Sequence, residues 1–445
     1  MLKSLLRITN VIFVLLFLFI LTACNNSDPT GPSNSGINPF SNGGTERNMI
    51  VVMSDMHLGA DLTYAQCKNN LPALEKLIKQ IKVSPNVKEL VIGGDLVDEW
   101  FVPATTNTYQ GSDQVSFVRN IASANSGVFT ALNSIIQEGL IRVTYLPGNH
   151  DLAITAASIE GVLPGINQAR DAEGVGTYSP VGLPKIAIEH GNRYNFIASP
   201  DPISNQTIAP GTILPPGYFF TRLAALSITQ GNPHPGDTTP VITPNTSGGN
   251  SQLLLYNYWM SWYITLHLYP ITNRFNENII ITNVNGFTGS YKFNDLVPFQ
   301  LTPGGFINVN LFNGIQDTWE ARQTRNNVPV HIPIVTAMDS ANSNTFIDYQ
   351  TSLQYFMNQA SDKRLVVFGH THSAKISVYQ NYLNEKCVYA NSGTWIDNNP
   401  GAGSTTMNFV VITPQSADPS SQTYVKLYNF MNEVVTKMDE NSLRF

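Results

Sequence analysis

The chain has 445 residues, of which 42% are hydrophobic, enough to bury one large domain or two ordinary ones. Only 13% of the residues are charged, and the net charge is −6. Because nucleic-acid binding needs a basic surface that neutralises phosphates, this balance argues against nucleic acid as a partner. No protein partner is evident from the sequence either.

Residues 1–23 have the features of an export signal. Lys3 and Arg7 precede "VIFVLLFLFIL", an uncharged run that is short for a membrane span and typical of a signal-peptide core. The run ends in "LTAC", which resembles a bacterial lipoprotein signal and implies lipidation of Cys24; an ordinary secretory signal with a chance cysteine is the alternative. The lipoprotein interpretation predicts a membrane-anchored protein of the bacterial cell envelope, outside the cytoplasm.

Residues 24–47 are rich in Asn, Ser, Gly and Pro, which predicts a flexible linker. Strands and helices then alternate, which predicts an α/β fold with a largely parallel sheet and helices on its faces. Five apolar runs predict the strands of this sheet: "NMIVVMSDMHLG", "VKELVIGGD", "IRVTYLPGNHD", "KIAIEHGNRY" and "KRLVVFGHTH". The first of them lacks alternation, as expected for a strand buried on both faces.

The pattern changes between residues 201 and 330, where only eleven residues are charged. The run "LLLYNYWMSWYITLHLYPI" is apolar nearly all round. We interpret it as a buried or lid helix, because polar residues are spread through it; a membrane span is the alternative. The segment is predicted to be an insertion or cap within a core of residues 48–200 and 331–415, and residues 416–445 a C-terminal extension. Its aromatic side chains either cap a ligand crevice or form an extra layer of core.

The same kinds of polar residue follow each of the five predicted strands. In chain order they are Asp55 and His57, Asp95, Asn149 and His150, His190, and the pair His370 and His372. Because ligands bind at the carboxyl ends of parallel strands, we expect these side chains to converge. Carboxylate, imidazole and amide oxygen together suit divalent Zn, Mn, Fe or Ni.

The ordered set D-x-H, G-D, G-N-H, H and G-H-x-H resembles the motifs of the calcineurin-like metallophosphoesterases, over residues 49–200 and 362–413. The resemblance implies a sandwich-like core of central β-sheets flanked by helices. It also implies a hydrolase of phosphomonoesters, phosphodiesters or pyrophosphates with two divalent metal ions. The implied ligands are Asp55, His57, Asp95 and His372 for one ion, and Asp95, Asn149, His190 and His370 for the other. Asp95 would bridge the ions, and His150 would act on the phosphate or protonate the leaving group, with Asp151 orienting it.

The sequence around Asp98 bears on the substrate. Glu99 and Trp100 follow it, where serine/threonine protein phosphatases carry Arg and Gly. This ending, with "HGN" and "NSGTW", resembles the branch of UDP-diacylglucosamine pyrophosphatases, although the export signal and the insertion depart from that branch. A lipid-linked substrate and a nucleotide therefore both stay open. Asp98 and Glu99 are expected to be a solvated or helix-start pair, with a supporting role for Asp98 behind the metal ligands as the alternative.

Two further alternatives stay open at this point. Cys67 and Cys387 either form a disulfide, which export permits, or remain unpaired buried thiols. The chain is either an enzyme or a catalytically silent lipoprotein of the same fold used for binding or adhesion. No ligand of the motif set is missing, which favours the enzyme.

Overall fold

Two mixed β-sheets form the centre of the molecule. The computed structural model describes residues 38–233, 240–400, 404–418 and 420–445. The larger sheet has the strand order Val434–Leu443, Thr423–Met431, Asn408–Thr413, Met49–Met53, Val87–Gly93, Arg142–Leu146 and Asn167–Gln168. The smaller sheet has the order Lys375–Gln380, Lys386–Asn391, Leu365–Phe368, Ile186–Glu189 and Thr177–Tyr178.

The mixed α/β fold was predicted, but a single largely parallel sheet was not the correct arrangement. The strands Met49–Met53, Val87–Gly93 and Arg142–Leu146 are parallel neighbours in the larger sheet, whereas Ile186–Glu189 and Leu365–Phe368 are parallel neighbours in the smaller one. Each sheet also carries antiparallel strands towards its edges. Local alternation of strands and helices cannot tell one sheet from two, because the division depends on long-range pairing.

The two sheets pack face to face, and the first strand is buried on both sides as predicted. Ile50 and Val52 belong to the apolar cluster that also contains Ile188 and Val367 of the smaller sheet. Val51, on the opposite face, belongs to the cluster that includes the surrounding helices. Successive side chains of a strand point to opposite faces, so each strand contributes to both layers.

Helices cover the outer faces of the sheets. The longer ones are Leu71–Lys82, Gln114–Ala124, Ser126–Glu138, Pro216–Thr229, Gly249–Leu268, Ile315–Arg325 and Asn344–Thr351. Shorter turns of helix are Ala156–Glu160, Asn192–Tyr194, Phe293–Leu296, Ile334–Asp339 and Ser352–Phe356. In the helix Leu71–Lys82 the buried residues are Leu74, Leu77, Ile78 and Ile81, which is the spacing of one helix face.

The segment predicted as an insertion adds helices and two small hairpins, and it adds no strand to either large sheet within its described residues. The hairpins pair Ile280–Ile281 with Ser290–Tyr291 and Phe299–Gln300 with Ile307–Asn308. On the helix Gly249–Leu268, Tyr258, Trp259 and Trp262 are buried in the main apolar cluster. These three side chains therefore support the extra layer of core over a free aromatic cap. Among the helices of the described residues, none combines the length and the apolar character that crossing a membrane requires.

Both ends of the described chain pack on the core. Phe40 is buried, and the Ser84 hydroxyl donates to its carbonyl oxygen at 2.8 Å, so the segment predicted to be linker contacts the core at this residue, while most of residues 41–46 are exposed. The strands Thr423–Met431 and Val434–Leu443 extend the larger sheet, where the sequence predicted no strand. Cys67 and Cys387 are buried free thiols. Cys24 lies outside the described residues.

Candidate metal centre

The carboxyl ends of strands from both sheets meet at one edge of the molecule. Asp55 follows Met49–Met53 in the larger sheet, and His370 follows Leu365–Phe368 in the smaller one. The backbone N–H of His370 donates to both carboxylate oxygens of Asp55 at 3.1 Å. The predicted convergence therefore occurs across the junction of two sheets.

Asp95 occupies the middle of the site. Its Oδ2 atom lies 3.5 Å from Nε2 of His57 and 3.2 Å from Nε2 of His190. Its other oxygen accepts the backbone N–H of His150 at 2.8 Å. A single carboxylate oxygen thus lies close to two imidazoles, as expected for a bridging ligand.

The remaining predicted ligands lie on the two sides of Asp95. On one side, Oδ1 of Asp55 is 3.1 Å from Nε2 of His372. On the other, Oδ1 of Asn149 is 3.2 Å from Nε2 of His190, and the His370 ring centroid is 5.2 Å from that of His190. The structure therefore brings all seven predicted ligands together.

The donor set fits divalent metal. In three overlapping groups, one potential ligand atom from each member lies within 4.8 Å of the others. The groups are Asp55, His57 and His372; Asp55, Asp95 and His190; and His57, Asp95 and His150. Mixed imidazole and carboxylate ligands are those that Zn, Mn, Fe and Ni accept. His150, which was not predicted to bind metal, has a ring nitrogen within the same distance limit.

Five of the seven predicted ligands have a left-handed backbone. The φ angles are 54° for Asp55, 47° for His57, 53° for Asp95, 65° for His370 and 55° for His372. Each such residue other than glycine costs about 1–3 kcal/mol and persists only where the surroundings enforce it. This concentration of strain at one edge points to a site shaped for function.

Two glycines allow the loops to approach each other. Gly94 has a φ of 97°, and a Cβ atom there would collide with the His190 ring. A Cβ atom on Gly148 would collide with the carboxylate of Asp95. Only glycine leaves room for these contacts, so both positions serve the packing of the ligands.

Hydrogen bonds on the far side of the rings orient two of the histidines. Nδ1 of His190 donates to the carbonyl oxygen of Gly93 at 2.9 Å, which turns Nε2 towards Asp95. Nδ1 of His57 lies 3.2 Å from Oδ2 of Asp98. Such partners fix the tautomer and the direction of a metal-binding imidazole.

Positive charge stabilises the buried carboxylates of the site. Burial opposes ionisation of Asp55 and Asp95, but the neighbouring histidines outweigh it and hold the pKa of both carboxyls well below its ordinary value. Burial likewise lowers the pKa of His190, yet Asp95 and Asp55 raise it to about 9. Burial and the charge of His190 lower the pKa of His370 to about 3, so His370 stays neutral. Because neutral imidazole is the form that binds metal, binding of a metal at His190 would release a proton, and the metal would take over the stabilisation of the carboxylates.

Asp98 orients His150, whereas the sequence predicted Asp151 in this role. Its Nδ1 atom lies 2.9 Å from Oδ1 of Asp98, and its ring packs against Trp100 with 4.9 Å between the centroids. Asp151 instead accepts backbone N–H groups of Leu96 at 2.8 Å and Gly148 at 2.6 Å. Asp151, the neighbour of His150 in sequence, thus connects two loops of the site. Asp98, which is distant in sequence, is the carboxylate that contacts the imidazole.

Asp98 and Glu99 are buried, so the interpretation of a solvated pair was wrong. Asp98 links His57 to His150 and also accepts the backbone N–H groups of Trp100 and Phe101. Glu99 accepts hydrogen bonds from the Tyr109 hydroxyl and from Gln114. The apolar residues on both sides of the pair were the signal that could have predicted burial.

Asn195 is a site residue that the sequence did not suggest. Its Oδ1 atom accepts the backbone N–H of Ile197 at 2.9 Å, which turns Nδ2 towards Nε2 of His370 at 3.3 Å. A single asparagine five residues after His190 carries no spacing signal. His267 and His331, by contrast, lie outside the site, where they pair with the Tyr263 carbonyl oxygen and with Glu320.

Comparison with known proteins agrees with this geometry. Residues 49–230 match the model of a family described as calcineurin-like phosphoesterase. This match supports the metallophosphoesterase family. The matched domain implies a phosphoester hydrolase, and the histidine and aspartate clusters suggest that it binds divalent metal. Comparison with curated proteins gave no match to the chain.

Proposed function

We propose that the chain is a phosphoester hydrolase that works with two divalent metal ions. The observation that carries this proposal is the position of Asp95, whose one carboxylate oxygen lies within 3.5 Å of both His57 and His190. Two ions held there would clamp the attacking and leaving oxygens of a displacement at phosphorus and would lower the pKa of water. The ligands on either side of Asp95 are those predicted from the sequence.

His150 is the proposed donor of a proton to the leaving oxygen. Asp98 holds its Nδ1 atom, and the side chain is 13% exposed, so the rest of the ring is accessible to a substrate. Trp100 and His57 restrict the ring from two sides. A group oriented in this way can hold a proton where charge develops on the leaving oxygen.

Metal analysis and a substrate panel test the proposal. We expect close to two transition-metal ions per chain in purified protein, measured by mass spectrometry of the metal content. We expect hydrolysis within a panel of phosphomonoesters, phosphodiesters and pyrophosphates assayed with Mn, Ni, Zn and Fe. A folded protein that binds none of these metals would contradict the proposal and would favour the catalytically silent alternative.

The proposed substrate is a pyrophosphate or phosphodiester, either lipid-linked or a nucleotide. The acid–Trp ending at Glu99 and Trp100 supports this choice through its resemblance to UDP-diacylglucosamine pyrophosphatases. Because the long insertion and the export signal depart from that branch, the panel should include a lipid-linked pyrophosphate and a nucleotide diphosphate side by side. Hydrolysis of simple monoesters alone would contradict the choice.

The proposed location is the bacterial cell envelope outside the cytoplasm, with lipid on Cys24 as the membrane anchor. The "LTAC" sequence after the apolar run supports it. Cys24→Ser should release the protein from the membrane fraction, because the lipid chains that anchor it would be attached to this cysteine. Retention of this variant in the membrane fraction would contradict lipidation as the anchor.

A further inference from the structure

The loop that carries His370 and His372 is held from behind by a buried polar network. Thr371 lies between the two histidines, and its side chain points away from the site into the protein. Its hydroxyl donates to Oδ1 of Asp348 at 3.1 Å and accepts from Nδ2 of Asn391 at 3.1 Å. The three side chains of this network are buried.

The backbone of the same loop is fastened as well. The carbonyl oxygen of Thr371 accepts from Nδ2 of Asn344 at 3.0 Å, and that of Gly369 accepts from Nδ2 of Asn391 at 2.7 Å. The carbonyl oxygen of His372 accepts from Asn399 at 2.9 Å. Three of the four carbonyl groups from Gly369 to His372 therefore have a side-chain partner.

Asp348 is the centre of this network and is itself held in place. It lies on the helix Asn344–Thr351, and it accepts hydrogen bonds from Thr371 and from the Tyr389 hydroxyl. The Lys375 ammonium group pairs with its other oxygen. A buried carboxylate with all its partners in place is a rigid support for the loop.

We propose that Thr371, through its hydroxyl bond to Asp348, is a positioning residue that holds His370 and His372 ready to bind metal. The inference rests on the proposed function, because it assumes that these histidines are ligands. Its physical basis is the left-handed backbone of both histidines, with φ of 65° and 55°, which costs free energy and reverts unless the surroundings enforce it. Thr371 is the residue between the two histidines, and its hydroxyl is the side-chain group through which it bonds to Asp348 and Asn391.

The chain offers a matched control for this inference. Thr351 is also buried, and its hydroxyl donates to the carbonyl oxygen of Asp348 at 2.8 Å without reaching the metal loop. Thr371→Val and Thr351→Val therefore remove the same hydroxyl from the same neighbourhood. Thr371→Ser keeps the hydroxyl and should restore the contact.

The experiment measures binding of Mn²⁺ and Zn²⁺ to the metal-free full-length protein by calorimetry. Thermal unfolding in EDTA reports the stability of each variant separately. We expect Thr371→Val to weaken metal binding about 10–100-fold, the range found when partners behind metal ligands are removed. Thr371→Ser and Thr351→Val should bind metal close to the parent, whatever their stability in EDTA.

Each contrary result has one meaning. Unchanged affinity in Thr371→Val would overturn the positioning role and leave the proposed function intact. An equal loss of affinity in Thr351→Val would also overturn it, because the effect would then be a general loosening of the helix. Absence of metal binding by the parent would refute the proposed function, and the inference with it.

Discussion

The metal-centre edge and the segment 201–330 both bury charged side chains, but they use them differently. At the metal centre, carboxylates and imidazoles point at one another around Asp95. In segment 201–330, the guanidinium of Arg222 donates to five backbone carbonyl oxygens, on residues 102, 103, 104, 106 and 281. Arg322 similarly donates to the carbonyl oxygens of Phe196 and Ser199.

This difference shows which buried charges indicate chemistry. An arginine whose terminal N–H groups bond to loop carbonyls stabilises the contact between segment 201–330 and the loops before it, and those groups are not directed at a shared ligand position. At the metal centre, by contrast, carboxylate oxygens and imidazole nitrogens lie close together around a position that a metal ion could occupy. Positive φ angles occur in both regions, at five of the predicted ligands and at four non-glycine residues of segment 201–330, so backbone strain alone does not separate them.

The largest expected effect comes from Asp95→Asn. The amide removes the negative charge between His57 and His190, so metal binding and hydrolysis should be lost together, with turnover down by roughly 10³-fold or more, equivalent to about 4 kcal/mol. Metal analysis and activity assays on the same sample measure both. Asp201→Asn, at a buried carboxylate of the insertion, is the control and should keep metal and activity. Two retained metals with near-normal turnover in Asp95→Asn would refute the bridging role.

His150→Ala should lower turnover by roughly 10²–10⁴-fold while metal content stays intact. A nitrophenyl ester should lose less, because nitrophenolate leaves without a proton. The exposed His267 on the insertion helix provides the control, and His267→Ala should change neither quantity. Loss of metal in His150→Ala would show instead that His150 is a ligand, as its proximity to His57 and Asp95 permits.

Trp262→Ala tests the other region. Trp262 is fully buried in the insertion, so removing its ring should lower the free energy of unfolding by about 3–5 kcal/mol, measured by denaturant titration. Metal affinity of the folded protein should not change. The control Leu268→Ala removes a side chain that is 68% exposed on the same helix and should cost little. A loss of metal affinity without a loss of stability would mean that the insertion acts on the site.

Glu99→Gln should change how stability depends on pH. Burial raises the pKa of Glu99 to about 7, against an ordinary value of 4.5, and the bonds from Tyr109 and Gln114 only partly oppose this. The folded state therefore binds this proton more tightly, and the parent loses stability as the pH rises from about 4.5 to 7. The variant lacks this loss, so the difference in free energy of unfolding between variant and parent should shift in favour of the variant between pH 4.5 and 7. The shift should reach at most about 3 kcal/mol and then level off. Denaturant titrations of both proteins at pH 4.5, 6 and 8 measure it, and a constant difference would contradict it.

Sequence reasoning was most successful where the signal was local. Apolar runs predicted the first strand and its burial on both faces, and the polar residues after the strands predicted which side chains converge. Strands without a local signal were missed: in Val434–Leu443 most residues are exposed or half-buried, so apolar alternation is weak there. The division into two sheets was missed for the same reason, since pairing between distant strands leaves no local pattern.

Contacts behind the ligands were the least predictable part of the site. Asp151 is adjacent to His150 in sequence, but its carboxylate bonds to the backbone of Leu96 and Gly148. Asp98 lies 52 positions away from His150 and nevertheless contacts its ring. Tertiary packing decides which of two acidic residues reaches an imidazole, and sequence adjacency does not.

Asp98→Asn provides the most delicate test of the metal-centre edge. Oδ1 of Asp98 accepts two backbone N–H groups and His150, so the amide oxygen should occupy that position and the amide nitrogen should face Nδ1 of His57. Because two donors would then meet, His57 must change its tautomer or turn, and metal affinity should fall about 10–100-fold. Calorimetric titration of the metal-free protein measures this, with Asp151→Asn as a comparison that leaves His57 untouched. Equal losses in both variants would mean that the loops have simply loosened, whereas a loss confined to Asp98→Asn would identify this carboxylate as the link between a metal ligand and the proposed proton donor.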